Sequence, residues 1–211
     1  MVVLRGSARY GTREPTRHPE QAMDISKIPI GRAPPHDLNV IIEVPMGGEP
    51  VKYEMDKASG ALFVDRFLHT AMFYPGNYGF VPHTLSADGD PIDVLVVGQT
   101  PLVPGAVVRA RPIGALVMED EGGGDEKLIA VPVDALHPFY ANVKSMDDLP
   151  PTLKEQIAHF FQHYKDLEKG KWVTIGTWMD ADGAAELLAD AIRRGGELAA
   201  RQVQHGYALK G

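Results

Sequence analysis

The stretch Asp88-Gly89-Asp90-Pro91-Ile92-Asp93-Val94 places three carboxylates within six positions, and an apolar run from Val94 to Val97 follows directly. Gly89 and Pro91 favour a turn, whereas Ile92 to Val97 reads as a buried strand. The acids therefore stand at the mouth of a strand that core packing anchors. Carboxylates this close repel one another unless positive charge lies between them, and hard divalent cations such as Mg²⁺ take oxygen ligands. A solvated surface turn would use the same residues. A calcium loop of the EF-hand type fits poorly, because Asp93 stands where that loop needs Gly and Gln99 where it needs its closing Glu.

Upstream, Val40-Ile41-Ile42-Glu43-Val44-Pro45 reads as a strand with one acid in an apolar run, and Met46 to Pro50 as a turn. Val51 to Asp56 alternates, with Val51, Tyr53 and Met55 on one face and Lys52, Glu54 and Asp56 on the other. After a turn over Lys57 to Gly60 comes a strand from Ala61 to Phe67 that carries Arg66. A solvated outer face accounts for Lys52 and Glu54, but not for Glu43. Phe73 to Phe80 is aromatic, with Pro and Gly setting turns. Tyr74 and Tyr78 there suit either a core edge or hydroxyl donors aimed into a site.

Downstream, Val107 to Arg111 and Ile113 to Met118 are further β-like runs, joined to a strand from Leu128 to Val133 by the acidic loop Glu119 to Lys127. As a solvated hairpin this loop needs no function. Its three glycines also let Asp120 and Asp125 fold toward a common point. A helix is expected from Thr152 to about Glu168, with Leu153, Ile157, Phe160, Phe161, Tyr164 and Leu167 as its apolar stripe. His159 and His163 have a spacing used by zinc sites, but no Cys and no His-Glu-x-x-His pattern supports one. They are assigned to packing or to a subunit contact, which protonation below about pH 6.5 should loosen. Trp172 to Trp178 reads as a last strand and Gly183 to Arg194 as a second helix, with fraying after Gly195.

The chain has 211 residues, enough for one domain with a full core. Residues 1–22 carry Arg5, Arg9, Arg13 and Arg17 with almost no apolar periodicity, and are expected to form a disordered tail. A single domain over residues 23–200 and a frayed end over residues 201–211 complete the expected organisation. The formal charge of −7 argues against a nucleic-acid surface. The chain has no cysteine, which removes thiolate chemistry and makes a reducing cytoplasm the simple assumption. No apolar run approaches the ~18 residues of a membrane span.

The polar residues on strands and loops sort into two sets. Glu43, Glu54, Asp88, Asp90, Asp93, Asp120, Glu121 and Asp125 are acids; Lys52, Arg66, Lys127 and Lys165 are cations, with Tyr74, Tyr78 and Tyr164 as neutral donors. If they converge, the site takes several divalent metals together with a multiply charged anion, the mixture that phosphoryl chemistry needs.

The run Asp88 to Val94 resembles the signature of the family I soluble inorganic pyrophosphatases, of bacterial type. The resemblance extends from about Ile28 to Met179. It includes Val51-Lys52-Tyr53-Glu54, Gly60 to Arg66, Tyr74-Pro75-Gly76-Asn77-Tyr78-Gly79 and His159 to Glu168. It implies an α+β, mainly β fold: an OB-like five-stranded β-barrel with flanking α-helices. It also implies a cytoplasmic homohexamer that hydrolyses pyrophosphate to two orthophosphates without a covalent intermediate. Several Mg²⁺ ions per site are implied, with Mn²⁺ or Zn²⁺ as substitutes. Carried over by position, Asp88, Asp93 and Asp125 resemble ligands of the tighter metals, with Asp93 bridging two. Asp120 and Asp125 resemble ligands of a further metal, and Glu43 of another. Asp90 resembles the residue that takes a proton from the attacking water. Lys52, Arg66, Tyr78, Lys127, Tyr164 and Lys165 resemble phosphate ligands, with Glu54, Tyr74 and Glu121 in support. The rival readings are an OB-type nucleic-acid-binding module and another metal-dependent phosphohydrolase.

Overall fold

A computed structural model describes residues 23–208, with side chains described to Arg201. The tail expected over residues 1–22 lies outside the described residues. In chain order the strands are β1 (Gly31–Ala33), β2 (Asp37–Val44), β3 (Val51–Met55), β4 (Leu62–Phe67), β5 (Asn77–Phe80) and β6 (Asp93–Val96). They continue as β7 (Val107–Asp120), β8 (Gly123–Gly124) and β9 (Lys127–Pro132). Helix α1 (Pro151–His163), strand β10 (Val173–Met179) and helix α2 (Ala181–Ala208) end the described chain.

Five of these strands close on themselves. The order β2-β5-β6-β9-β7 returns to its start because β7 also pairs with β2, so the expected OB-like barrel is present. All its pairs are antiparallel except β6–β9. Both strand faces are covered, which explains why Val94–Val97 and Leu128–Val133 are continuously apolar rather than alternating. Leu95, Ile129, Leu116 and Met118 pack with Ile157, Phe160 and Phe161 of α1. Their sequence neighbours Val94, Val96, Leu128 and Ala130 pack with Ala184, Leu188 and Ala191 of α2. Each such large side chain contributes ~1.5–3 kcal/mol when fully buried.

Four local expectations are corrected. The two runs around Pro112 are one strand, β7, with an irregularity between Pro112 and Gly114 where it turns round the barrel. Asn77–Phe80, expected as turn, is strand β5, and Gly79 lets it approach β2 closely: a Cβ there would stand 1.9 Å from the Ile41 carbonyl oxygen. Helix α1 stops at His163 rather than near Glu168. It tightens into turns (Asp166 N–H to His163 O, Glu168 N–H to Lys165 O), which buries Tyr164 and Lys165 and leaves Leu167 65% exposed. Helix α2 does not fray after Gly195 but continues to Ala208. Its stretch before Gly195 is docked: the Leu85 N–H donates to the Ala191 carbonyl at 2.9 Å, and Arg194 Nε donates to the Leu85 carbonyl at 2.8 Å.

Because the Ile41 backbone cannot move without opening the barrel, Gly79→Ala should destabilise by at least the ~1–3 kcal/mol of an overpacked core. Urea unfolding followed by circular dichroism measures this. An unchanged midpoint would show that β2 and β5 separate freely.

Candidate active site

The acidic turn forms from its own local bonds. Gly89 adopts φ +96°, a left-handed conformation open to glycine, and the Asp90 N–H donates to Asp88 Oδ1 at 3.0 Å. The Ser86 N–H closes the turn on the Asp90 carbonyl at 2.7 Å. Thr84 Oγ1, buried, accepts from the Ile92 N–H and donates to the Val81 carbonyl, so the turn is fixed to the barrel at its C-terminal side. Asp93 then opens β6.

Register brings the other groups to it. The parallel β6–β9 pairing sets Asp93 beside Lys127. The second acidic loop is a tight turn in which Asp120 and Glu119 pair with Gly123 and Gly124, and the Asp125 N–H returns to the Met118 carbonyl. The β3–β4 hairpin pairs Lys52 with Arg66. The turns after α1 supply Tyr164 and Lys165.

The resulting cleft has a volume of about 140 Å³ and is lined by acids Glu43, Glu54, Asp88, Asp90, Asp93, Asp120 and Asp125. Lys52, Lys57, Arg66, Lys127 and Lys165 line it too, with Tyr78 and Tyr164. This volume lies below the ~300–1,000 Å³ of pockets that take drug-sized ligands, and so favours a small anion over a nucleotide. Two residues expected at the site stand behind it. Tyr74 is packed at 5.1 Å from the Tyr78 ring, and Glu121 is paired with Lys171 and 3.8 Å from Lys165.

Most cations are already partnered. Lys127 Nζ is hydrogen-bonded to Asp93 and stands 2.5 Å from Asp125. Lys165 Nζ donates to Asp120 at 2.6 Å, and Lys52 Nζ lies between Glu54 and Asp65, 3.2 Å from the latter. Arg66 Nε is 3.3 Å from Glu168 Oε1, both atoms being buried with no hydrogen bond of good geometry. Asp65, Glu168 and Lys57 were not legible as site residues. Asp65 and Arg66 are neighbours on an exposed-looking strand, and Glu168 counts as helix surface until the helix is seen to end early.

Burial raises the Glu43 carboxyl to about 7, against a hydrogen bond from the Met55 N–H (2.8 Å) and the fields of Lys57 and Lys52. Burial also raises Asp125, opposed by Lys127. Asp120 is lowered: burial works against this, but the bonds from Lys165 and the Gly122 N–H prevail. Burial raises Tyr74 and Tyr78 well above their ordinary values, so both phenols remain donors. Lys127 is held well up by Asp93 and Asp125 in spite of its burial, and is an ammonium.

The donor set fits a divalent cation with oxygen ligands: it is all carboxylate, seven acids face five cations, and Asp125 is raised by crowding and burial. Among the described residues no three carboxylates or histidines converge on one point, because Lys127 and Lys165 occupy the space between them. Fold and cleft together define an OB-like barrel with one small, highly charged cleft whose oxygen donors suit hard metals.

The sequence profile of the inorganic pyrophosphatase family matches residues 40–195. An inorganic pyrophosphatase of Caulobacter vibrioides is 69% identical over 172 residues, covering 82% of this chain and 97% of that protein. That of Escherichia coli is 57% identical over 168 residues, covering 79% of this chain and 96% of the relative. The crystal structure of the inorganic pyrophosphatase from Thermus thermophilus superposes with a TM-score of 0.78 at 43% identity, covering 82% of this chain and 99% of that one. The chain belongs to the inorganic pyrophosphatase family, of bacterial type, and that family is metal-dependent in general.

The Glu43 shift carries a sign for stability. A carboxyl raised from 4.5 to about 7 on folding stabilises fully below the unfolded value, and that stability is lost as pH rises through about 7. In a chelator, unfolding free energy should therefore fall by up to ~3 kcal/mol between about pH 4.5 and pH 7.5 from this group alone. Glu43→Gln should flatten that slope. Equal slopes for the two proteins in urea titrations would show that Glu43 is charged at neutral pH.

Proposed function

We propose that this chain is an inorganic diphosphatase: a hydrolase that cleaves pyrophosphate into two orthophosphates with Mg²⁺, by water attack without a phosphoenzyme. The observation that carries this is the cleft itself, a space of about 140 Å³ lined by seven acids and five cations. Asp88, Asp93, Asp120, Asp125 and Glu43 are the residues that would hold Mg²⁺, or Mn²⁺ and Zn²⁺ in its place. Bound there, the metal supplies charge for phosphate oxygens and lowers the pKa of water toward neutrality. Asp90, exposed at the tip of the turn, accepts the proton that water gives up. Lys52, Arg66, Tyr78, Lys127, Tyr164 and Lys165 hold the phosphate oxygens, and the charge of the leaving phosphate falls to Arg66 and Tyr164. Lys127 and Lys165, paired with Asp93, Asp125 and Asp120 as they stand, would turn to the anion if those carboxylates held a metal. Glu54 orients Lys52, Glu121 backs Lys165, and Tyr74 packs behind Tyr78.

The catalytic unit in this reading begins at Met23, whose carbonyl oxygen already packs against Gly60, and runs to about residue 200. It works in the cytoplasm as a homohexamer. The apolar groove between Met46, Met72, Phe73 and Phe160 and the 54% exposed Phe73 ring suit a subunit contact beside His159. His163 Nδ1 lies 2.8 Å from Asp166, which offsets the mutual repulsion expected of protonated histidines here. No described helix is long and apolar enough to cross a membrane. The negative charge of the chain disfavours the nucleic-acid reading.

Phosphate release from magnesium pyrophosphate, ATP and p-nitrophenyl phosphate tests the reading, with pyrophosphate expected to be much the best substrate. A preference for either ester or nucleotide would overturn it. The roles of the turn carboxylates separate in Asn variants. Asp88→Asn should regain activity as Mg²⁺ is raised, and Asp93→Asn should be the most damaged. Asp90→Asn should lose ~10²–10⁴-fold in kcat with no rescue. Rescue of Asp90→Asn by Mg²⁺ would make Asp90 a metal ligand instead of a base.

A further inference from the structure

Lys57 stands apart from the other cations of the cleft. Lys52, Arg66, Lys127 and Lys165 each lie within 4 Å of at least one carboxylate oxygen. Lys57, among the described residues, has no such ion pair; its Nζ lies over the Phe80 ring, 5.1 Å from the centroid. It is solvent-exposed, at the end of β3 in the turn that leads to β4, yet its side chain lines the cleft wall with Phe80, Glu43 and Glu54. An aromatic face holds an ammonium weakly and leaves its N–H donors free.

This matters because the approaching ligand is an anion and the chain carries a net charge of −7. A cation committed to a carboxylate presents a nearly neutral pair to anything several ångströms away. An unpaired one at the rim acts at the range of the Debye length. Resting on the proposed pyrophosphatase reading, we propose that Lys57 is a substrate-binding residue for that reaction, the rim cation that draws the diphosphate into the cleft and holds its outer phosphate there. Phe80, buried at 2% exposure, gives the flexible lysine stem a fixed seat facing the opening. The sequence alone suggests only a turn lysine, because the approach of Lys57 to Phe80 depends on the β3–β4 hairpin folding over the barrel.

The test compares the full-length chain with Lys57→Met, which keeps the apolar stem over Phe80, Lys57→Arg and Lys57→Glu. The first readout is kcat/KM with magnesium pyrophosphate at roughly 0.01 M and roughly 1 M ionic strength, where the Debye length is about 30 Å and about 3 Å. Lys57→Met should lose about three- to tenfold at low salt, carried by KM, with Lys57→Glu worse and Lys57→Arg near the unmodified chain. The differences should shrink at high salt. A second readout is calorimetric titration with methylenediphosphonate in the presence of Mg²⁺, which should follow the same order. Lys57→Met equal to the unmodified chain at low salt would overturn the proposal. So would a loss that persists at high salt and follows a lower Tm, since Lys57 would then serve only to pack on Phe80. An unmodified chain inert toward pyrophosphate would strike the functional reading instead, and the diphosphonate titration would still judge Lys57.

Discussion

Lys127 holds Asp93 and Asp125 together inside a cleft in which carboxylates outnumber cations. It is 3% exposed, at the start of β9, and the two carboxylates come from different parts of the chain. A buried ammonium between two half-buried carboxylates is tolerable only as a set, and loss of a partner from a buried ion pair typically costs ~3–5 kcal/mol. The acidic turn, the β7–β9 connection and the parallel β6–β9 edge are therefore tied to a single ammonium.

The barrel supplies the geometry that makes this set reproducible. A parallel pair in an otherwise antiparallel ring places the N-terminal ends of β6 and β9 side by side, so the residues that open both strands face the same way out of the barrel. The β3–β4 hairpin, which forms its own two-stranded sheet, covers that end and contributes Lys52 and Arg66 from directly opposed positions. The turns after α1 complete the wall. Four separate pieces of chain meet because each is fixed by core packing some residues away, and none depends on a long unsupported loop.

Much of this was legible in the sequence, for reasons that vary by residue. Glu43 was conspicuous because an acid within an apolar run must be satisfied, and it is: buried, bonded to the Met55 N–H, and raised by desolvation. The carboxylates of the acidic turn were visible through their density. The convergence of Lys52 with Arg66 came from resemblance, since alternation alone reads both as solvated. Leu167 belongs to an i, i+4 stripe that continues in sequence after the helix itself has stopped, and so lies exposed. Gly195 suggested fraying, whereas it packs against the His83 backbone, a contact between segments more than a hundred residues apart that no local pattern encodes. Asp65 and Glu168 carry no local signal on the same ground: each matters only through Lys52 or Arg66, and so only in three dimensions.

The cleft's ion pairs are poorly explained as devices for stability. Replacing a buried pair by well-packed apolar side chains is commonly neutral or favourable, so the barrel would stand as well with a greasy end. Arg66 and Glu168 make the point most clearly, because Nε and Oε1 are both shut off from solvent, 3.3 Å apart, and still lack a hydrogen bond of good geometry. Such a pair holds a guanidinium in place without saturating it. The buried phenol of Tyr78 is kept neutral by desolvation and remains a donor. The cations are held by carboxylates that exceed them in number, so in the proposed reading the cleft would trade its internal partners for a metal–anion pair. An apolar or fully satisfied site could not make that exchange, and this accounts for a fold that keeps so much charge where burial is costly.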